Sequence, residues 1–117
     1  MAWRKARQLC GLVPKLTLKD SLRTDFAYRD QIWRSAISIM SNIAEGFGRT
    51  GAKDFHHFLL ISRGSAAEVQ SLLYVGSDAN YLDEMEFKAF YSLAEEVIML
   101  IGGLQTYLKK RQSKTKT

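Results

Sequence analysis

The stretch with the most chemistry-like spacing is "NIAEGFGRTGAKD", residues 42–54. It sets Gly46, Gly48 and Gly51 in the order G-x-G-x-x-G, the spacing of a loop that cradles the phosphates of a dinucleotide. Such a loop needs a strand before it and a helix after it, inside a βαβ unit. Here a helix-period pattern precedes the glycines, no Val/Ile-rich strand run occurs, and the acidic residue at about the required distance, Glu68, falls inside another helical pattern. The spacing therefore predicts a helix–helix connection. Its glycines are expected to permit positive φ, with Gly46 or Gly48 as a left-handed cap of the preceding helix.

Other candidate chemistry is sparse. His56 and His57 are adjacent, so on a helix they point about 100° apart and do not form an i, i+4 ligand pair. One of them could touch a phosphate from the surface; ordinary packing or exposure is the plainer reading. The single Cys10 has no partner for an internal disulfide and reads as core packing. No Ser has a His and an Asp at a readable spacing for nucleophilic catalysis, and Glu95 and Glu96 sit together on a polar face. The chain is expected not to be an enzyme: no catalytic residue, metal or cofactor is implied. One polar stripe stands out. Ser38, Asn42, Glu45 and Arg49 recur at helical spacing. At the least they form a solvent face with an i, i+4 ion pair between Glu45 and Arg49 worth about 0.3–0.5 kcal/mol. More sharply read, they fix the helix connection or a subunit contact.

The elements that position these residues are helical nearly throughout. A first segment, about residues 2–18, carries Trp3, Ala6, Leu9, Cys10, Val13 and Leu16 on one face, and Pro14 is expected to kink or stop it. A second, about 26–47, carries Ile32, Ala36, Ile39 or Met40, Ile43 and Phe47, widened by Trp33, Ile37 and Ala44. A third, about 53–79, has small residues at its middle, "SRGSAAE", which let a neighbouring backbone come close. Gly64 there costs up to about 1 kcal/mol of helix propensity and so suggests a packing reason. "NYL" turns the chain, and Asp83 with Glu86 forms a capping box for a fourth segment, about 84–110. Four amphipathic helices with short loops predict an all-α, antiparallel up-down-up-down bundle, with residues 1–110 as one domain and 111–117 as a basic flexible tail.

The 117 residues are 46% apolar and 25% charged, as in a soluble globular domain. A core of that size gains from an oligomer interface. No apolar run approaches a membrane span, and "MAWRKARQLC" is charged where a signal peptide is apolar; a cytoplasmic protein with no membrane partner is expected. The net charge of +5 is unevenly spread. Residues 1–34 and 108–117 are each net +5, while residues 35–107 are net −5. Basic ends suit phosphate neutralisation on RNA or DNA, with Arg4, Lys5, Arg7, Arg23, Arg29, Arg34, Lys109, Lys110 and Arg111 as candidate contacts. They equally suit a solvated helix face and a tail.

The residues also carry a likeness. "SIMSNIAEGFGR" resembles the motif SIPSNIAEGFGR of the 23S rRNA intervening-sequence proteins, also labelled S23. "WRKARQL" resembles that family's opening W-x-K-A-x-x-L. "FHHFLLISRGSAAEVQSLL" resembles its F-x-x-F-L-x-I-A-x-G-S-x-x-E-x-x-x-x-L, over about residues 3–108 in all. Ser38, Asn42, Glu45, Gly46 and Arg49 carry the motif. Met40 stands where the family has Pro, which should leave the second helix straighter, and Pro14 stands where an aromatic residue is usual. The resemblance implies a four-helix bundle assembled as a ring-like homopentamer with a central channel. A relative in fold, the accessory variability determinant of diversity-generating retroelements, is a basic pentamer that binds nucleic acid and a reverse transcriptase. By analogy of fold this chain is expected to be a nucleic-acid-binding accessory factor, or a scaffold docking a protein such as a reverse transcriptase.

Overall fold

The apolar stripes fold into four helices: α1 (Ala2–Thr17), α2 (Phe26–Phe47), α3 (Ala52–Asp78) and α4 (Glu84–Thr115). This computed structural model describes the backbone of residues 1–115 and the side chains of residues 1–111. Among the described residues there is no strand. α4 takes in residues 111–115, which the sequence reading gave to a basic tail; residues 116–117 lie outside the described residues.

Each helix packs on its two neighbours in the cycle α1–α2–α3–α4, and the diagonal pairs do not meet. Leu9 and Val13 of α1, Ile32, Ile39 and Ile43 of α2, Leu59, Val69 and Leu73 of α3, and Val97 and Ile101 of α4 are fully enclosed. Contacts pair high numbers with low ones: Gly46 lies against Phe55, Ile39 against Ser62, and Tyr28 against Leu72. The small residues at the middle of α3 do admit a close neighbour. Buried Ser62 donates to the Ile39 carbonyl at 2.7 Å, and Ala66 is fully enclosed beside it. The bundle is 57 Å long and about 20 Å across.

Local chemistry sets the helix ends. Asp25 caps α2, its Oδ1 accepting from the Tyr28 N–H at 3.1 Å. Asp83 and Glu86 form the expected reciprocal box: the Glu86 N–H donates to Asp83 Oδ1 at 2.8 Å and the Asp83 N–H to Glu86 Oε1 at 2.9 Å. α3 closes on Asn80, at φ 62°, with the Tyr81 N–H reaching back to the Gly76 carbonyl at 2.7 Å and Asn80 N–H to Ser77. That is a Schellman ending with Asn in the left-handed position.

Four expectations are corrected. No described glycine has positive φ; Gly48 caps α2 at φ −79° and ψ −7°, in the right-handed region. Gly46 is instead required by packing, because a Cβ there would sit 2.8 Å from Phe55 Cδ1 and 3.4 Å from Phe58 Cβ. Gly64 has no close neighbour: a Cβ there would meet nothing within 4 Å. Pro14 does not stop α1, which runs a further turn to Thr17, with the Leu18 N–H bonded to the Pro14 carbonyl; this near the C-terminus the ring breaks only one ladder bond. Trp33 (42% exposed), Ile37 and Ala44 do not widen the core face of α2 but stand outside it.

Candidate nucleic-acid interface

The expected polar stripe is a set of internal fastenings. Asn42 Nδ2 donates to the Ser38 carbonyl at 2.8 Å and to Ser38 Oγ at 3.0 Å, and Ser38 Oγ shares a 2.8 Å hydrogen bond with Ser65 Oγ of α3. Arg49 pairs with Glu45 at 2.7 Å, and its guanidinium lies 4.9 Å from the centre of the Phe58 ring. Ser38 thus ties α2 to the middle of α3, and Arg49 bridges the end of α2 to Phe58 near the start of α3. With Gly46 they explain why the motif occupies this turn.

The nine basic candidates divide. Lys109, Lys110 and Arg111 late in α4 lie at the end of the bundle where α2 turns into α3, while Arg4, Lys5 and Arg7 at the start of the shorter α1 stand nearer mid-bundle, with Lys5 beside Glu96 of α4. Arg23, Arg29 and Arg34 belong to the rest of it, with Arg29 Nη1 donating to the Arg23 carbonyl at 2.7 Å and Arg23 3.9 Å from Asp20. α3 adds to the first group two cations that the candidate set did not contain, Lys53 and Arg63, with the His56 imidazole beside them. In the half of the bundle that holds the α2–α3 turn and the start of α1, nine Lys and Arg side chains (Arg4, Lys5, Arg7, Arg49, Lys53, Arg63, Lys109, Lys110 and Arg111) stand with Glu45, Asp54, Glu95 and Glu96. The rest of the described bundle reverses the sign, with six Lys and Arg against eight Asp and Glu. Lys5 reaches Glu96 at 3.3 Å and Lys19 reaches Glu86 at 2.6 Å.

Two hollows open at the basic end. One, of about 360 Å³, lies between the α2–α3 turn and α4; its walls include Phe47, Phe55 and Tyr107, with Arg49 and Arg111. Arg111 also lies over the Tyr107 ring. The other, of about 440 Å³, is a groove between α3 and α4. His56 is half-buried there and His57 is exposed, edge-on to Phe58.

The opposite end is knitted by tyrosines. Tyr28 Oη donates to the Leu72 carbonyl at 2.6 Å, and Tyr81 Oη donates to Asp25 Oδ2 at 2.5 Å. Burial pushes the Tyr28 phenol up to about 12, with the neighbouring Tyr81 and Asp25 charges adding to it. The Tyr81 hydroxyl, then the Tyr28 N–H, holds the Asp25 carboxyl below its usual range. Burial pushes the Cys10 thiol up while it donates to the Ala36 carbonyl at 3.2 Å, as a packed side chain does. Among the described residues no His, Cys, Asp and Glu cluster could hold a metal ion, and no helix is long and apolar enough to cross a membrane.

The comparisons follow this geometry. A solved structure from Bacteroides thetaiotaomicron VPI-5482, a protein of unknown function from the S23 ribosomal protein family, matches the chain with a TM-score of 0.83 and 20% identity. The match covers 90% of this chain and 98% of that one. At that identity the likeness speaks for the fold. No curated protein matches. The 23S rRNA-intervening sequence protein family matches residues 1–103, and the chain belongs to that family.

Proposed function

We propose that this chain is a non-enzymatic accessory protein that binds RNA or DNA through its basic end and works as an assembly of its own copies. One observation carries the reading: nine Lys and Arg side chains share the half of the bundle that holds the α2–α3 turn and the start of α1 with four carboxylates, while carboxylates outnumber cations elsewhere. Like charges concentrated this way repel in the free protein and are relieved by a polyanion, whose counterions are released on binding. The antiparallel up-down-up-down order is part of the proposal. It is supported by the pairing of high with low residue numbers across each helix pair, as between Tyr28 and Leu72 and between Gly46 and Phe55.

The homo-oligomer, a pentameric ring by family resemblance, is supported by a second apolar stripe on α2. Trp33, Ile37, Ala44 and Phe47 stand outside the core, and with Met40 at the core's edge they recur at alternating four and three spacing, Phe47 being 59% exposed. That is the spacing of a helix seam awaiting a partner helix. A second reading, a scaffold docking another protein such as a reverse transcriptase, draws on the ring cluster of Tyr74, Phe87 and Tyr91 on the acidic part of the bundle, with centroids 5.1–5.7 Å apart.

Anisotropy of a labelled oligonucleotide, read between about 50 and 200 mM salt, tests the principal reading. Affinity should fall with a log–log slope of about −4 or steeper, at 0.7–0.9 per phosphate contact. Absence of binding at the low-salt end contradicts it. Light scattering on the same sample reports the assembly mass.

A further inference from the structure

The groove between α3 and α4 has three features that packing alone does not explain. It is lined by His56, Arg63, Thr106 and Lys109, and no carboxylate is among its walls. Gln105 occupies a position of the α4 core stripe, between Ile101 and Leu108, and is only 7% exposed. A buried amide there requires a reason, and its Oε1 accepts from Arg63 Nη1 at 3.1 Å. That bond uses one of five guanidinium donors and holds the rest at the groove wall. Finally, Gly102 sits inside a helix, where glycine is unfavourable by up to about 1 kcal/mol, yet a Cβ there would meet nothing within 4 Å. The glycine does not admit a neighbour from this chain; it keeps the groove open.

We propose that this groove holds consecutive phosphates of a nucleic-acid strand, with Arg63 and Lys109 as the charged contacts, His56 as a further donor and Gln105 as the residue that positions Arg63. The proposal rests on the reading of the basic end as a nucleic-acid interface. His56 and Arg63 are seven residues apart on α3, about 10 Å along the axis, farther than one phosphate group reaches. The ligand is therefore a strand and not an isolated anion.

The test uses the full chain and a short labelled oligouridylate. Gly102→Glu replaces the glycine with a better helix former and places a carboxylate among the cations. It should leave the melting temperature equal or higher while weakening binding about tenfold or more. Arg63→Gln should weaken binding and reduce the magnitude of the salt slope by about one, and Gln105→Leu should weaken it less. Wild-type affinity in Gly102→Glu and Arg63→Gln, with Arg7→Gln still weakening binding, overturns the groove while leaving the basic end standing. No binding by the wild type at about 50 mM salt overturns both. Full displacement of the strand by millimolar inorganic phosphate at constant ionic strength shows an isolated-anion site and overturns the strand assignment.

Discussion

The two ends of this bundle are built on opposite terms. At the end where α3 turns into α4, side-chain hydrogen bonds and caps fasten the turns. Asp25 caps α2 and accepts from Tyr81, Tyr28 reaches the Leu72 carbonyl, Asp83 and Glu86 cap each other, and Asn80 closes α3. At the end where α2 turns into α3, the α3 N-terminus has no side-chain cap and two hollows open, and in that half of the bundle cations outnumber carboxylates by more than two to one. The first end holds the fold together. The second has its own fastenings, the Glu45–Arg49 pair and the Phe47–Phe55 ring contact among them, but presents more positive charge outward. On the proposed function, stability and binding are separable along one molecule, and substitutions can address each without the other.

The same change made at different glycines gives the largest contrast. Gly76→Ala would drive a Cβ into the Tyr28 hydroxyl and Leu82, and should cost about 1–3 kcal/mol by overpacking. Gly64→Ala and Gly102→Ala meet nothing and should instead stabilise by up to about 1 kcal/mol through helix propensity. Urea unfolding of the three variants checks the sign. Next in size, Tyr28→Phe should cost about 0.5–1.5 kcal/mol alone, and should recover part of the Gly76→Ala loss, since it removes the atom that the new methyl meets. A double-mutant cycle reads that coupling.

The alkaline limb follows from the same residue. The folded Tyr28 phenol titrates near 12 and an unfolded one near 10. The neutral phenol's contribution is therefore whole below about pH 10 and is lost as pH rises toward 12. Tyr28→Phe should flatten that limb of the stability curve. The acid limb has the opposite sign: the depressed carboxyl of Asp25 contributes above the ordinary carboxylate range and is lost as pH falls through its lowered value, and Asp25→Asn should blunt that loss. The smallest effect belongs to the turn end. Glu45→Gln removes an exposed ion pair with Arg49 and should change stability by less than about 0.5 kcal/mol.

Much of the tied end was legible in sequence. The Asp83–Glu86 box and the bounds of α2 and α3 follow from periodicity and capping chemistry, which act within a few residues. What was not legible depends on where helices end up. Arg4 and Arg23 are close in sequence, but the sixteen residues of α1 carry the chain about 24 Å, so one run of basic residues is split between the two halves. Conversely, Arg63 belongs to a stretch that reads as acidic and Lys109 to the end of the fourth helical segment, and the two come to line one groove only across α3 and α4. Gly46 and Gly76 are needed for approaches by Phe55 and Tyr28, which no local rule for glycine anticipates. Gln105 reads as an ordinary polar residue until its burial and its bond to Arg63 are seen.

The central claim is that charge in one half of the bundle, not net charge, binds nucleic acid. Two double reversals alter net charge equally: Arg4→Glu with Arg7→Glu in the basic half, and Arg23→Glu with Lys88→Glu in the other. Measured with one labelled oligonucleotide at one salt concentration, the first pair should weaken binding by about a hundredfold and lower the magnitude of the salt slope by about two, while the second leaves both within about twofold. Equal losses from the two pairs would contradict the account.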